Sequence, residues 1–262
     1  MTDLNPAARV RLQENAQGLF TSDLSVNEFA LLHALGFQPL GLVMGSSVYH
    51  IGLQQSNWGQ NMELEVITGA LYRARELAMT RLQAEAQALQ ADGVVGVRLQ
   101  LGGGNLGLSS DLAEFVAVGT AVRAPQGQDW RANGAPFTSA LSGQELWTLH
   151  TIGYRPLGLV MGTCVYHIAH QGFMQALRTL GRNTEMTNYS QALYSARELA
   201  MERMQAEARA HGAGGVVGVS VSEANYGWDP HVIEFFALGT AVLPMPGAER
   251  RIEPAAVVNL ND

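Results

Sequence analysis

Residues 70–88 read ALYRARELAMTRLQAEAQA, and residues 192–210 read ALYSARELAMERMQAEARA. Ala, Leu, Glu, Arg, Gln and Met are the strong helix formers, and Leu71, Ala74, Ala78, Leu82 and Leu89 recur at helical spacing, with Leu77 beside them. The stretch therefore predicts a long amphipathic helix from about Glu63 to Ala91, with alanines on its buried stripe that permit close packing onto a sheet. Its return fixes the organisation of the chain. Residues 32–51, LHALGFQPLGLVMGSSVYHI, match 149–168, LHTIGYRPLGLVMGTCVYHI, at an offset of 117, whereas the helix matches at 122. Copy 2 thus carries five extra residues between the two blocks. ADGVVGV (91–97) matches AGGVVGV (213–219), and EFVAVGTAV (114–122) matches EFFALGTAV (234–242). The chain is a tandem duplication.

Each copy opens with a capping box, Ser25 to Glu28 and Ser142 to Glu145, in which hydroxyl and carboxylate satisfy free amides of a first helical turn. The short helix that follows ends at Gly36 or Gly153. Residues 39–51 then read as a strand, with Gly41 and Gly45 marking a bulge or a close approach to another backbone. After the long helix come strands 93–101 and 113–123, joined by GGGNLGLSSD, and in copy 2 strands 215–224 and 231–243, joined around Asn225–Pro230. The expected fold is α+β, two repeated β-α-β-β units, each with one long helix on a small antiparallel sheet and preceded by a short capped helix. The expected division is an extension 1–19, domain 20–123, linker 124–136, domain 137–243 and tail 244–262. A three-stranded sheet leaves one face and its edges uncovered, so each unit is expected to bury them against its twin or against other copies.

The motifs AR-E-x-A, A-x-x-VVG and GTAV, in that order, resemble the YbjQ family, labelled "putative heavy-metal-binding". Copy 1 carries them at Ala74–Ala78, Ala91–Gly96 and Gly119–Val122, and copy 2 at Ala196–Ala200, Ala213–Gly218 and Gly239–Val242. The resemblance implies a unit like the dodecin subunit, assembled into pentameric or decameric rings. The chain departs from the family before the long helix, where a glycine-rich stretch with an arginine is replaced by Asn61–Glu65 and Asn183–Thr187.

The 262 residues include 16 basic groups, all arginine, against 23 acids, for a net charge of −7. That balance argues against nucleic acid or an anionic membrane as partner. No apolar run spans a bilayer and the first residues lack a secretory layout, so a cytoplasmic protein is expected. A single cysteine, Cys164, excludes an internal disulfide and suits a reducing compartment.

Soft metals favour thiolate, thioether and imidazole, and Met161, Cys164 and His167 supply all three along one strand. Strand alternation puts Cys164 on the opposite face from the other two, and copy 1 has Ser47 in its place. Cys164 then reads first as a small buried apolar residue. His50 and His167 end the first strand of each copy, as ligands repeated around an oligomer or as element-end histidines bonded to backbone. His33 and His150 sit near the ends of the short helices, where the helix dipole suits them. His170, His211 and His231 lack counterparts and are expected at the surface. Tyr72 with Arg75, and Tyr194 with Arg197, share a helix face three residues apart. An arginine beside an aromatic suits an interface, where the planar guanidinium stacks and pairs, or an anion contact at a subunit junction. The Gly102–Asn105 loop leads into a strand in a chain without lysine, so it is no phosphate cradle. No nucleophile is paired with a base. The sequence predicts a non-enzymatic, ring-forming binding or scaffold protein with a protein partner; the other reading is sequestration of a soft divalent metal through His50, His167, Met161 and Cys164.

Overall fold

A computed structural model describes residues 4–16, 18, 20–51, 59–102, 112–127, 129–169, 187–225 and 231–245. Residues 103–111, 170, 183–186, 226–230 and 246–262 lie outside them. The elements are α1 (Pro6–Ala16), α2 (Val26–Ala34), β1 (Gln38–His50), β2 (Met62–Glu63), α3 (Glu65–Ala88), β3 (Gly93–Gly102), β4 (Leu112–Arg123), β5 (Phe137–Thr138), α4 (Gly143–Thr151), β6 (Tyr154–His167), α5 (Thr187–Ala210), β7 (Gly215–Asn225) and β8 (Val232–Pro244). The fold is α+β, with the two repeats forming two small sheets. Both capping boxes close, Ser25 on Glu28 and Ser142 on Glu145. Gly36 and Gly153 follow the short helices at φ +85° and +84°, which a side chain would oppose.

Within each repeat the long helix lies on a three-stranded antiparallel sheet, α3 on β1 and β4, α5 on β6 and β8. Gly45 and Gly162 set the spacing. A Cβ at Gly45 would run into the carbonyl oxygen of Ala78, and one at Gly162 into that of Ala200. The helix backbone therefore rests directly on the strand, above a stripe of Ala74, Ala78 and Ala86 in one copy and Ala196, Ala200 and Ala208 in the other. At the next inward position Ser47 donates from its hydroxyl to the Ala74 carbonyl. The same place in copy 2 holds Cys164, fully buried, with burial pushing its thiol up to about 12. Cys164 is a small core residue here, protonated at neutral pH.

Neither sheet is complete within its own repeat. The first runs β1-β4-β3-β5 and the second β2-β6-β8-β7, so each takes a two-residue edge strand from the other half. β5 pairs parallel to β3, Gly93 opposite Phe137, and β2 pairs antiparallel to β6, Met62 opposite His167. The segment read as a linker is also packed. Trp130 is buried between Phe37, at a ring distance of 5.0 Å, and His150, at 5.5 Å, and Arg131 pairs with Asp92 at 3.3 Å. Together with Leu32, Phe137 and Leu146 this forms a third core that belongs to both halves. The N-terminal extension contributes α1, which the sequence reading had not singled out. Its Arg11 donates to the Leu42 carbonyl and pairs with Glu85 at 2.5 Å.

Replacing Gly162 with alanine is expected to force helix and strand apart. Overpacking of this kind costs ~1–3 kcal/mol, to be read as a lower midpoint in thermal or urea unfolding. Alanine at Gly69, inside α3 with open space around it, is the control and should raise the midpoint, because alanine is the better helix former by ~1 kcal/mol.

Candidate functional site: the joint between the repeats

Among the described residues β6 pairs with β8 along one side and with β2 only at its end, so most of its outer edge has no strand partner there. Edge groups left unpaired in a buried strand are costly, and here side chains from both halves meet them. The Leu159 amide donates to the Thr138 hydroxyl at 3.0 Å, and the Met161 amide to Glu207 at 2.8 Å. The Thr163 amide donates to the Tyr72 hydroxyl at 3.1 Å and the Val165 amide to the Thr68 hydroxyl at 3.0 Å. Between them, Arg203 donates to the Thr163 carbonyl at 2.7 Å, and the Leu64 amide to the Val165 carbonyl at 2.8 Å. Arg203 also grips Glu63 of β2 with both terminal nitrogens, at 2.6 and 2.9 Å, the bidentate geometry that makes such pairs strong. α3 therefore serves two sheets. Its alanine stripe packs on its own strands, while Thr68, Tyr72 and Arg75 face β6.

Arg75 lies at the centre, with 0 % of its surface exposed. Its guanidinium sits over the Tyr72 ring at 4.6 Å and the Phe236 ring at 4.7 Å. Its three nitrogens make no hydrogen bond among the described residues, so ring faces and nearby carboxylates stabilise the charge. Those carboxylates belong to Glu207 and Glu234. Burial pushes Glu207 above the ordinary carboxylate range against the Met161 amide and the Arg75 charge. Glu234 is likewise raised by burial, against the Thr163 hydroxyl, which donates to it at 3.1 Å, and Arg75. Burial also raises the Tyr72 hydroxyl and lowers Arg75. The outward face of β6, carrying Leu159, Met161 and Val165, joins the core of the first repeat.

Tyr194 and Arg197, the same pair in copy 2, stack on each other in the same way, at 4.7 Å. They lie on the surface, with Tyr194 59 % exposed, and among the described residues Arg197 pairs with the adjacent Glu198 at 3.0 Å. The residues considered as soft-metal ligands are not gathered at one point. Met161 faces the first repeat's core, and Cys164 faces α5 on the other side of the strand. His167 is buried at the strand end with Nδ1 3.3 Å from the Gln60 carbonyl, and His50 is exposed. Among the described residues no three His, Cys, Asp or Glu side chains converge as a metal site would require. Of the histidines without counterparts, His211 is exposed and His231 is half-buried against the Tyr189 hydroxyl at 2.9 Å.

Sequence reasoning singled out Tyr72 and Arg75 but missed Glu63, Arg203, Glu207, Glu234 and Phe236. A signal was available for the first two: the acid of the departing Asn61–Glu65 stretch lies where an edge strand needs a partner for a helix arginine.

The family described as "Putative heavy-metal-binding", YbjQ, matches the chain twice, over residues 40–125 and 149–244. The chain is 53 % identical over 262 residues to the Encapsulin nanocompartment protein Rv1762c of Mycobacterium tuberculosis, covering 99 % of this chain and 98 % of that protein. It is 33 % identical over 91 residues to a UPF0145 protein of Pseudothermotoga lettingae, 33 % of this chain and 82 % of that one. A UPF0145 protein of Clostridium perfringens is 37 % identical over 87 residues, 31 % of this chain and 78 % of its own. The UPF0145 relatives thus match about one repeat's worth of chain, and the mycobacterial protein matches both.

Two outcomes follow from the buried charges. Arg75→Ala leaves Glu207 and Glu234 without their cation and is expected to destabilise by ~3 kcal/mol or more, whereas Arg197→Ala, at the surface of the isolated chain, should cost under about 0.5 kcal/mol. Urea unfolding of dilute protein, where any self-association is lost, compares them. Because Glu234 is raised on folding, the native state binds more protons than the unfolded chain from the ordinary Glu value up to the raised one, and stability falls as pH rises through that window. Glu234→Gln lacks this loss. Its midpoint relative to wild type should improve as pH rises above the ordinary Glu value of 4.5, and an offset that stays flat would contradict the assignment.

Proposed function

Because the chain belongs to the YbjQ family in both of its halves, we propose that it is a non-enzymatic, self-assembling binding and scaffold protein that closes into a ring. One observation carries this reading. Met44, Ser46, Val48 and His50 stand exposed on β1, while their counterparts Met161, Thr163, Val165 and His167 on β6 are all buried. Val48 is 56 % exposed and Val165 is 0 %. The same apolar strand face is built twice and covered once within the chain, which is the mark of a surface meant for a protein. The joint supports a structural role in another way: its charged groups are buried against one another rather than aimed at a space that a substrate could enter. The full-length likeness to a protein named for an encapsulin nanocompartment supports work within such a compartment, with the ring as one of its protein components. No helix among the described residues is long and apolar enough to cross a membrane, and the acidic balance of the chain fits a cytoplasmic setting without nucleic acid.

The soft-metal reading draws on the family's description. Native mass spectrometry on untagged protein, prepared without chelators, separates the two. Self-assembly predicts a defined mass at an integral multiple of 28.1 kDa without added metal. A single chain at every concentration would contradict it. Stoichiometric metal mass that is lost in His50→Ala/His167→Ala would favour sequestration instead.

A further inference from the structure

We infer that the bare face of β1 is a socket for the Tyr194–Arg197 face of a second copy, joined head to tail in the arrangement that already joins the two halves of one chain. The inference deepens the self-assembly reading and rests on it.

A cleft of about 420 Å³ opens beside β1, lined by Leu4 and Asn5 of the N-terminal extension and, on the repeat itself, by Met44, Gly45, Ser46, Arg81, Ala84 and Glu85. Carried across the repeat, these are Met161, Gly162, Thr163, Arg203, Ala206 and Glu207. The backbone geometry is shared. Arg81 donates to the Ser46 carbonyl as Arg203 does to that of Thr163, and Glu85 accepts from the Met44 amide at 2.8 Å as Glu207 does from that of Met161. In copy 2 the neighbouring half closes this place. The Tyr72 hydroxyl takes the Thr163 amide, its electrostatic neighbours are Arg75, Glu207 and Arg203, and Glu63 neutralises Arg203. In copy 1, Arg81 is exposed with no carboxylate partner among the described residues, and no described side chain accepts from the Ser46 or Val48 amide. The socket is formed, with Glu85 held by Arg11 of α1, and among the described residues no side chain takes the Ser46 amide as Tyr72 takes that of Thr163.

The matching plug stands at the other end of the chain. Tyr194 and Arg197 keep the stacked geometry of Tyr72 and Arg75, 4.7 Å against 4.6 Å, yet both are exposed. Ser190 stands where Thr68 caps a β6 amide, and it too carries a hydroxyl. A second edge agrees. Within the chain β3 is covered by β5 and by the amide bonds from Gly96 to Leu141 and from Val97 to Ser139. Among the described residues β7 has no such strand cover, and Val219 and Val221 are 42 % and 46 % exposed, whereas Val97 is 2 %. The counterpart of β5 is Phe20-Thr21, and Phe20 is 41 % exposed. Each half thus offers what the other lacks: a helix face and a strand edge in one, a sheet face and the Phe20-Thr21 segment in the other.

Such a contact uses two different surfaces, so it propagates, and it ends only by closing. Whole chains supply domains in pairs, so a ring closed this way holds an even number of domains.

The test uses two full-length variants whose changes fall on exposed positions. Val48→Arg obstructs the socket and keeps the plug; Tyr194→Ala/Arg197→Glu removes the plug, sets an acid against Glu85 and keeps the socket. Circular dichroism and thermal melting of each at low concentration verify the fold. Native mass spectrometry should then find the wild type as a large assembly, each variant alone at 28.1 kDa, and their equimolar mixture at twice 28.1 kDa with one of each. That pairing arises because the mixture contains one intact joint and nothing to extend it. A variant that retains the wild-type mass overturns the socket while leaving self-assembly in place, and so does a mixture that stays at 28.1 kDa. A monomeric wild type overturns both.

Discussion

The outer edge of β6 is the constraint on which the rest of the molecule depends. A strand buried on both faces must still satisfy its edge amides and carbonyls, because leaving even one unmet costs ~1–3 kcal/mol. No full strand is available there, so the edge is closed by hydroxyls from Thr68, Tyr72 and Thr138, a carboxylate from Glu207 and a guanidinium from Arg203. Three of those five side chains come from outside the sequence block of the second repeat's sheet and helix. The second sheet is therefore closed by the first repeat's helix, and the two halves are better regarded as one body with a shared seam than as beads on a linker.

That seam explains why near-identical sequences end in different surroundings. VMGSSVYH and VMGTCVYH make the same strand, yet only the second is buried on its outward face. The long helices differ in the same way. Ile67, Thr68, Arg75 and Met79 of α3 are buried besides its alanine stripe, whereas α5 buries its stripe and leaves Tyr194 and Arg197 exposed. Position in the chain, not composition, decides which copy is covered, and a tandem array always has one covered joint and two uncovered ends. Duplication fixes one such joint within the chain.

The internal repeat made most of each unit legible. The capping boxes, the glycines after the short helices, the alanine stripe and the strand glycine facing the helix are all local signals, and each matches a local physical demand. Tyr72 and Arg75 stood out because an aromatic and an arginine on one helix face are recognisable three residues apart. What could not be read were partners supplied by the other half. Trp130 sits in a stretch rich in Pro, Gly and polar residues, the composition of a linker, and only the packed structure shows it filling a core between α2 and α4. Glu63 and Arg203 lie 140 residues apart, and no periodicity connects them. The soft-metal set illustrates the converse: Met161, Cys164 and His167 are close in sequence, but strand alternation and the twofold packing of β6 send them to different places.

Amide hydrogen exchange resolved to single residues tests the central claim most directly. If the seam is as described, the Thr163 and Val165 amides are protected at every protein concentration, while those of Ser46 and Val48 exchange quickly in dilute protein and slow as concentration rises. Fast exchange at Thr163 and Val165, at rates like those of Ser46 and Val48, would contradict it, because the edge of β6 would then be open to water.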